Sequence, residues 1–118
     1  MIENILKAAS WLVIVGLVIV TIVPANERPS TGLQHDLEHF SAFGLAGLLF
    51  GLAYAGHLRA LLLSAIVFTL ALELSQIPLA TRHARLEDFI VDAAGACLGV
   101  VVAHVSRNFA KSWVRAVP

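Results

Sequence analysis

The chain has 118 residues, 58% of them hydrophobic and 14% charged, with eight basic against eight acidic side chains and a mean hydropathy of +0.84. Soluble domains run about half apolar and about a quarter charged, so this balance reads as an integral membrane protein. Zero net charge without a basic tract argues against a nucleic-acid partner, and Cys97 alone supplies neither a disulfide framework nor a paired-cysteine metal motif.

No repeat, low-complexity run or linker interrupts the sequence, which reads as one all-α domain over residues 1–118. Residues 8–23 (AASWLVIVGLVIVTIV) form the first apolar segment, bounded by Lys7 and Pro24. A rival reading is a cleaved leader, with small or short side chains at Val23-Pro24-Ala25, but a retained helix is expected. Prolines, Gly32 and polar residues mark a loop over 24–33. The second helix is predicted over 34–55; it carries Gly44, Gly47 and Gly51, the last two in a spacing that lets helix backbones approach closely in lipid. Gly56-His57-Leu58-Arg59 is a tight turn that forces an antiparallel hairpin. The third helix is predicted over 60–77, ahead of Pro78, and the fourth over 88–105, with Gly95 and Gly99 repeating the small-residue spacing.

Each segment is about the length needed to cross roughly 30 Å of hydrocarbon at about 1.5 Å per residue. The expectation is a polytopic bundle of four transmembrane helices. Lys7, Arg59, Arg107, Lys111 and Arg115 then share one side, and Arg28, Arg82 and Arg85 the other, which predicts both termini in the cytoplasm.

Four spans also bring the start of helix two, the end of helix three and the start of helix four to one membrane face. These ends carry Asp36 and His39, Glu73 and Gln76, then Arg82, Asp88 and Asp92. Asp36 and His39 are expected on one helix face, continued by Phe43; Asp88, Asp92, Gly95 and Gly99 form a stripe expected to face another helix. An ionisable side chain at membrane depth is tolerated where it meets a partner or a water-filled cavity. Four carboxylates facing two arginines leave a carboxyl able to exchange protons, so Glu73 and Asp92 are candidate general bases. Blander roles compete. Asp88 fits a helix cap, Asp36 and His39 an interfacial pair, Arg82 a membrane-border anchor; Glu73 is hardest to explain structurally. His35, Glu38, His83, Arg85 and Glu87 are expected as solvated loop or helix-start residues.

The run Asp36-Leu37-Glu38-His39-Phe40-Ser41-Ala42-Phe43, then Glu73-Leu74-Ser75-Gln76, then Arg82 with Asp88 six residues on, and finally Gly95 and Gly99, resembles the VanZ-like membrane protein family over roughly residues 34–103. Two positions depart from the family pattern. Asp92 stands where the family has Asn, and Leu37 where a Lys follows the aspartate, which leaves this version more acidic. The resemblance implies a small bacterial membrane protein; the namesake's link to teicoplanin resistance is not carried over to this chain.

The leading expectation is a multi-pass protein of the bacterial inner membrane. It would bind an envelope lipid, lipid-linked precursor or amphiphile in a polar pocket at the outer face, with Arg82 meeting a phosphate or carboxylate and Asp36, His39, Glu73, Gln76, Asp88 and Asp92 shaping the head-group site. An alternative is an intramembrane hydrolase, metal-dependent through His39, Asp36, Glu73 and Asp88, or using Glu73, Asp92 or His39 directly. A third is a structural or partner-binding protein, a homo-oligomer packed through Gly47 and Gly51 or Gly95 and Gly99. No cofactor is clearly implied. Four helices leave little room for alternating access, which sets proton-coupled transport last.

Overall fold

A computed structural model describes residues 1–23, 34–77 and 86–118, and these form four α-helices: α1 (Ile2–Ile22), α2 (His35–Ala53), α3 (Leu58–Ser75) and α4 (Leu86–Ala116). Helix α1 stops at Val23, whose extended backbone (φ −59°, ψ 137°) is the conformation that a following proline imposes on the residue before it. Helix α2 starts after Gln34 with Asp36 and Glu38 in its first turn, where carboxylates meet the positive end of the helix dipole. The α2–α3 turn includes Gly56 at φ 88°, a left-handed conformation that a side chain resists. Leu58 and Arg59, expected in this turn, already belong to α3.

Two helices run further than their apolar stretches. Helix α1 includes residues 2–7, and α4 continues past Val105 through Arg107, Lys111 and Arg115 to Ala116, a total of 31 residues. The charges there end the apolar run but not the hydrogen-bonded helix, since no glycine or proline intervenes before Pro118.

Helices α1, α3 and α4 are each long and apolar enough to cross a membrane, which marks the chain as a membrane protein. Their outward faces carry Leu12, Ile19, Leu63, Val67, Val102 and Val105, all exposed, as suits contact with lipid rather than water. Helix α2 is not among the three, because His35, Asp36, Glu38 and His39 occupy its first turns. It compensates by position, packing against α1 on one side and most extensively against α4 on the other.

The α2–α4 contact is the tightest in the molecule. The helices run parallel: His35 faces Asp88, His39 faces Asp92, Gly47 lies against Ala96, and Gly51 against Val100 and Ala103. A Cβ at Gly47 would collide with the Ala96 carbonyl, and one at Gly99 with the Gly44 carbonyl. The expected glycine stripes are therefore spent on each other inside one chain. Gly47, Gly51, Gly95 and Gly99 are all buried between α2 and α4, where they pack against the same chain.

Helix α3 returns antiparallel and packs mainly on α4. Its inward face is Thr69, Leu72, Glu73 and Gln76, at the spacing of one helical stripe. Leu72 joins Phe43 and Ala96 in the small buried core.

Candidate functional site

The N-terminal ends of α2 and α4 and the C-terminal end of α3 meet at one end of the structure and bring together most of the polar side chains singled out by sequence. His39 and Asp92 form its centre. Imidazole Nδ1 lies 2.8 Å from carboxylate Oδ1, and the Asp92 side chain is almost fully buried. Removing a carboxylate from water costs several kcal/mol, which a short bond to imidazole at the foot of the site offsets. The His39 ring stacks on Phe43 with centroids 6.3 Å apart, and that contact fixes the orientation of the ring.

One turn outward, the arrangement repeats. His35 Nε2 lies 3.5 Å from Asp88 Oδ1, and the rings of His35 and His39 are 4.3 Å apart. Two rungs therefore cross between α2 and α4, each an imidazole facing a carboxylate. The equal spacing of His35 and His39 on one helix and of Asp88 and Asp92 on the other was the available signal. Reading His35 as merely solvated missed it: His35 is exposed, yet it completes the outer rung.

Other expectations shift accordingly. Asp36 does not pair with His39; it lies with His35 and Asp88, the donor atoms of all three within 4.8 Å of one another. His39 and Glu73 are not part of that group, so the metal-ligand set His39, Asp36, Glu73 and Asp88 is replaced by His35, Asp36 and Asp88 among the described residues. Asp88 is a first-turn residue of α4 rather than its cap, because the helix begins at Leu86. Arg82, with His83 and Arg85, lies outside the described residues.

Glu73 and Gln76 are both buried on the inward stripe of α3. Gln76 is 8% exposed, and no hydrogen bond to its side-chain amide occurs among the described residues. Buried amides are nearly always hydrogen-bonded, to protein or to something bound, so this group requires a polar partner.

Below the polar end, an apolar cavity of about 380 Å³ opens between α1 and α3. Its lining runs from Phe43 through Gly47 and Phe50 to Tyr54, closed laterally by Trp11 and Phe68. From Phe43 to Tyr54 the rise is about 16 Å, close to half the roughly 30 Å hydrocarbon thickness. The far end is built differently: Trp11 Nε1 donates to Tyr54 Oη at 3.0 Å, Lys7 Nζ sits 5.4 Å from the Tyr54 ring centroid, and Arg107 Nη1 donates to the Leu52 carbonyl at 2.6 Å. One end of the structure is thus imidazole and carboxylate, the other aromatic and basic.

Compared with protein-family models, with curated proteins and with solved structures, the chain matches none.

Proposed function

We propose that the chain is a VanZ-like protein of the bacterial inner membrane, crossing it four times, that holds an envelope lipid or related amphiphile with its head group at the His39–Asp92 end and one chain in the apolar cavity. The observation that carries this reading is the join between the two: His39 stacks on Phe43, and Phe43 lines the cavity. Head group and chain of one molecule would occupy adjoining spaces without a polar barrier between them. The five cations Lys7, Arg59, Arg107, Lys111 and Arg115 belong to the opposite end, which supports an outward-facing head-group site under the positive-inside rule.

The energetics divide between the two spaces. An alkyl chain gains no hydrophobic free energy by leaving lipid for an apolar cavity, so the cavity selects shape and the polar contacts set affinity. Gln76 supplies the sharpest test. Its replacement by Leu removes an amide with no partner among the described residues, which is expected to leave the fold about as stable, whereas a bound head group loses a hydrogen bond worth about 1.4 kcal/mol, about tenfold in affinity. Native mass spectrometry of protein released gently from bacterial membranes is expected to find one retained amphiphile per chain. Its occupancy should fall strongly in Gln76→Leu and in Ser64→Phe, which fills the cavity wall. Retention unchanged in both variants, or no amphiphile in the parent, refutes the proposal.

One observation favours a second reading, an intramembrane hydrolase. A buried carboxylate 2.8 Å from His39 Nδ1 is the arrangement that orients an imidazole as general base through its other nitrogen. Under that reading His39→Ala abolishes turnover of a retained lipid, and Asp92→Asn reduces it.

A further inference from the structure

We propose that His35, Asp36 and Asp88 bind a divalent first-row metal ion, of which Zn²⁺ is the best match, at the outer rim of the His39–Asp92 pair. The three donor atoms lie within 4.8 Å of one another. An ion with ligand bonds of about 2.0–2.2 Å holds tetrahedral neighbours about 3.4 Å apart. The His35–Asp88 separation of 3.5 Å matches that ligand edge, and it exceeds the roughly 2.7–3.2 Å of a good N–H···O bond. The outer rung therefore has the spacing of two ligands on a shared ion, whereas the inner rung, at 2.8 Å, has the spacing of a direct hydrogen bond.

Helix-dipole compensation alone explains carboxylates in the first turns of α2 and α4, and it would repel a cation. It does not explain the imidazole set against one of them from the neighbouring helix. Nor does it explain Asp36, whose carboxylate has no hydrogen bond or ion pair of its own among the described residues. One imidazole and two carboxylates neutralise a dication and favour zinc-like ions over the all-oxygen preference of magnesium and calcium. The His35 ring lies tilted against that of His39, itself held by Asp92, and this contact supplies outer support for a ligating ring. His35 and Asp36 are exposed, so small rotations close the remaining distance. Three protein ligands leave a fourth position for water or for an anionic oxygen.

The test is a Zn²⁺ titration of tag-free, chelator-washed full-length protein in a lipid-free detergent, against a competing fluorescent chelator. The lipid-free medium keeps the outcome independent of the amphiphile proposal. One equivalent per chain is expected, with affinity reduced at least tenfold in each of His35→Ala, Asp36→Asn and Asp88→Asn, and unchanged in His57→Ala. Co²⁺ in place of Zn²⁺ should give the intense visible bands of a tetrahedral site, lost in the same variants. Asp36→Asn, at an exposed position, keeps the test readable if Asp88→Asn disturbs folding. Substoichiometric uptake, or uptake indifferent to all three substitutions, overturns the site.

Discussion

Replacing Gly95 by alanine tests whether helix packing and the polar site are one object. An added Cβ would lie 2.6 Å from the Phe40 carbonyl oxygen, 0.8 Å short of the 3.4 Å at which ordinary contact begins, and the obstacle is backbone that cannot rotate away. The two helices must separate or slide. Gly95 is less than one turn from Asp92, so a displacement of that size passed on to the His39–Asp92 bond takes it from 2.8 Å to about 3.6 Å, outside hydrogen-bonding range. Overpacking costs about 1–3 kcal/mol, and loss of a charge-assisted bond at a buried carboxylate about 1.5–3 kcal/mol; the two overlap, giving about 2–4 kcal/mol together. Reversible unfolding in mixed micelles, followed by circular dichroism, would measure this loss, and imidazole nitrogen NMR of His39 would report the pair. Gly44→Ala, whose Cβ meets its nearest atom at 3.6 Å, and Gly16→Ala, which meets nothing within 4 Å, are the controls. If Gly95→Ala unfolds with the controls and leaves the His39 resonances in place, the coupling of packing to site is wrong.

Three further outcomes are expected. Asp92→Ala removes the carboxylate bonded to His39 Nδ1 and should cost about 3–5 kcal/mol, whereas Asp92→Asn keeps a hydrogen-bonding group there and should cost about 1 kcal/mol; equal losses in the same unfolding assay would show that the pair contributes little. Gly56→Ala forces a side chain into the left-handed region at φ 88° and should destabilise by about 1–2 kcal/mol, with Gly56→Asn recovering part of it; an unchanged midpoint for Gly56→Ala would contradict the turn geometry. Arg107→Ala removes the 2.6 Å donor to the Leu52 carbonyl at the C-terminal end of α2 and should cost about 1 kcal/mol, seen as faster amide exchange over Leu52–Tyr54; protection that does not change sinks this capping role.

Four helices, their order and the meeting of polar ends follow from local pattern: apolar runs of spanning length, punctuated by Pro24, Gly56 and Pro78. The true end of α4 does not. A transfer scale registers where the oily stretch stops, near Val105, but a helix ends where its backbone hydrogen bonds end, eleven residues later at Ala116. The glycine stripes were legible as contact surfaces, yet their partner was not, since nothing in Gly47 or Gly95 says whether the opposing backbone is in the same chain. His35 was hidden by its own exposure. A histidine at a helix start looks solvated until the helix two positions later in the chain is laid beside it. Gln76 was legible as polar and near the membrane border, and only the fold makes it a buried amide in need of a partner.

The parallel alignment of α2 with α4 sets an order on biogenesis. Helix α2 alone of the four lacks an apolar run of spanning length, and the helix it packs against most extensively is synthesised only after all of α3. Until α4 arrives, the His39–Asp92 bond cannot form and the Gly47 face lacks the Ala96 backbone it rests on. A chain stopped within α3 would lack the most extensive contact of α2 and hold it mainly against α1. The His35–Asp88 and His39–Asp92 pairs come into being only when the last helix is in place.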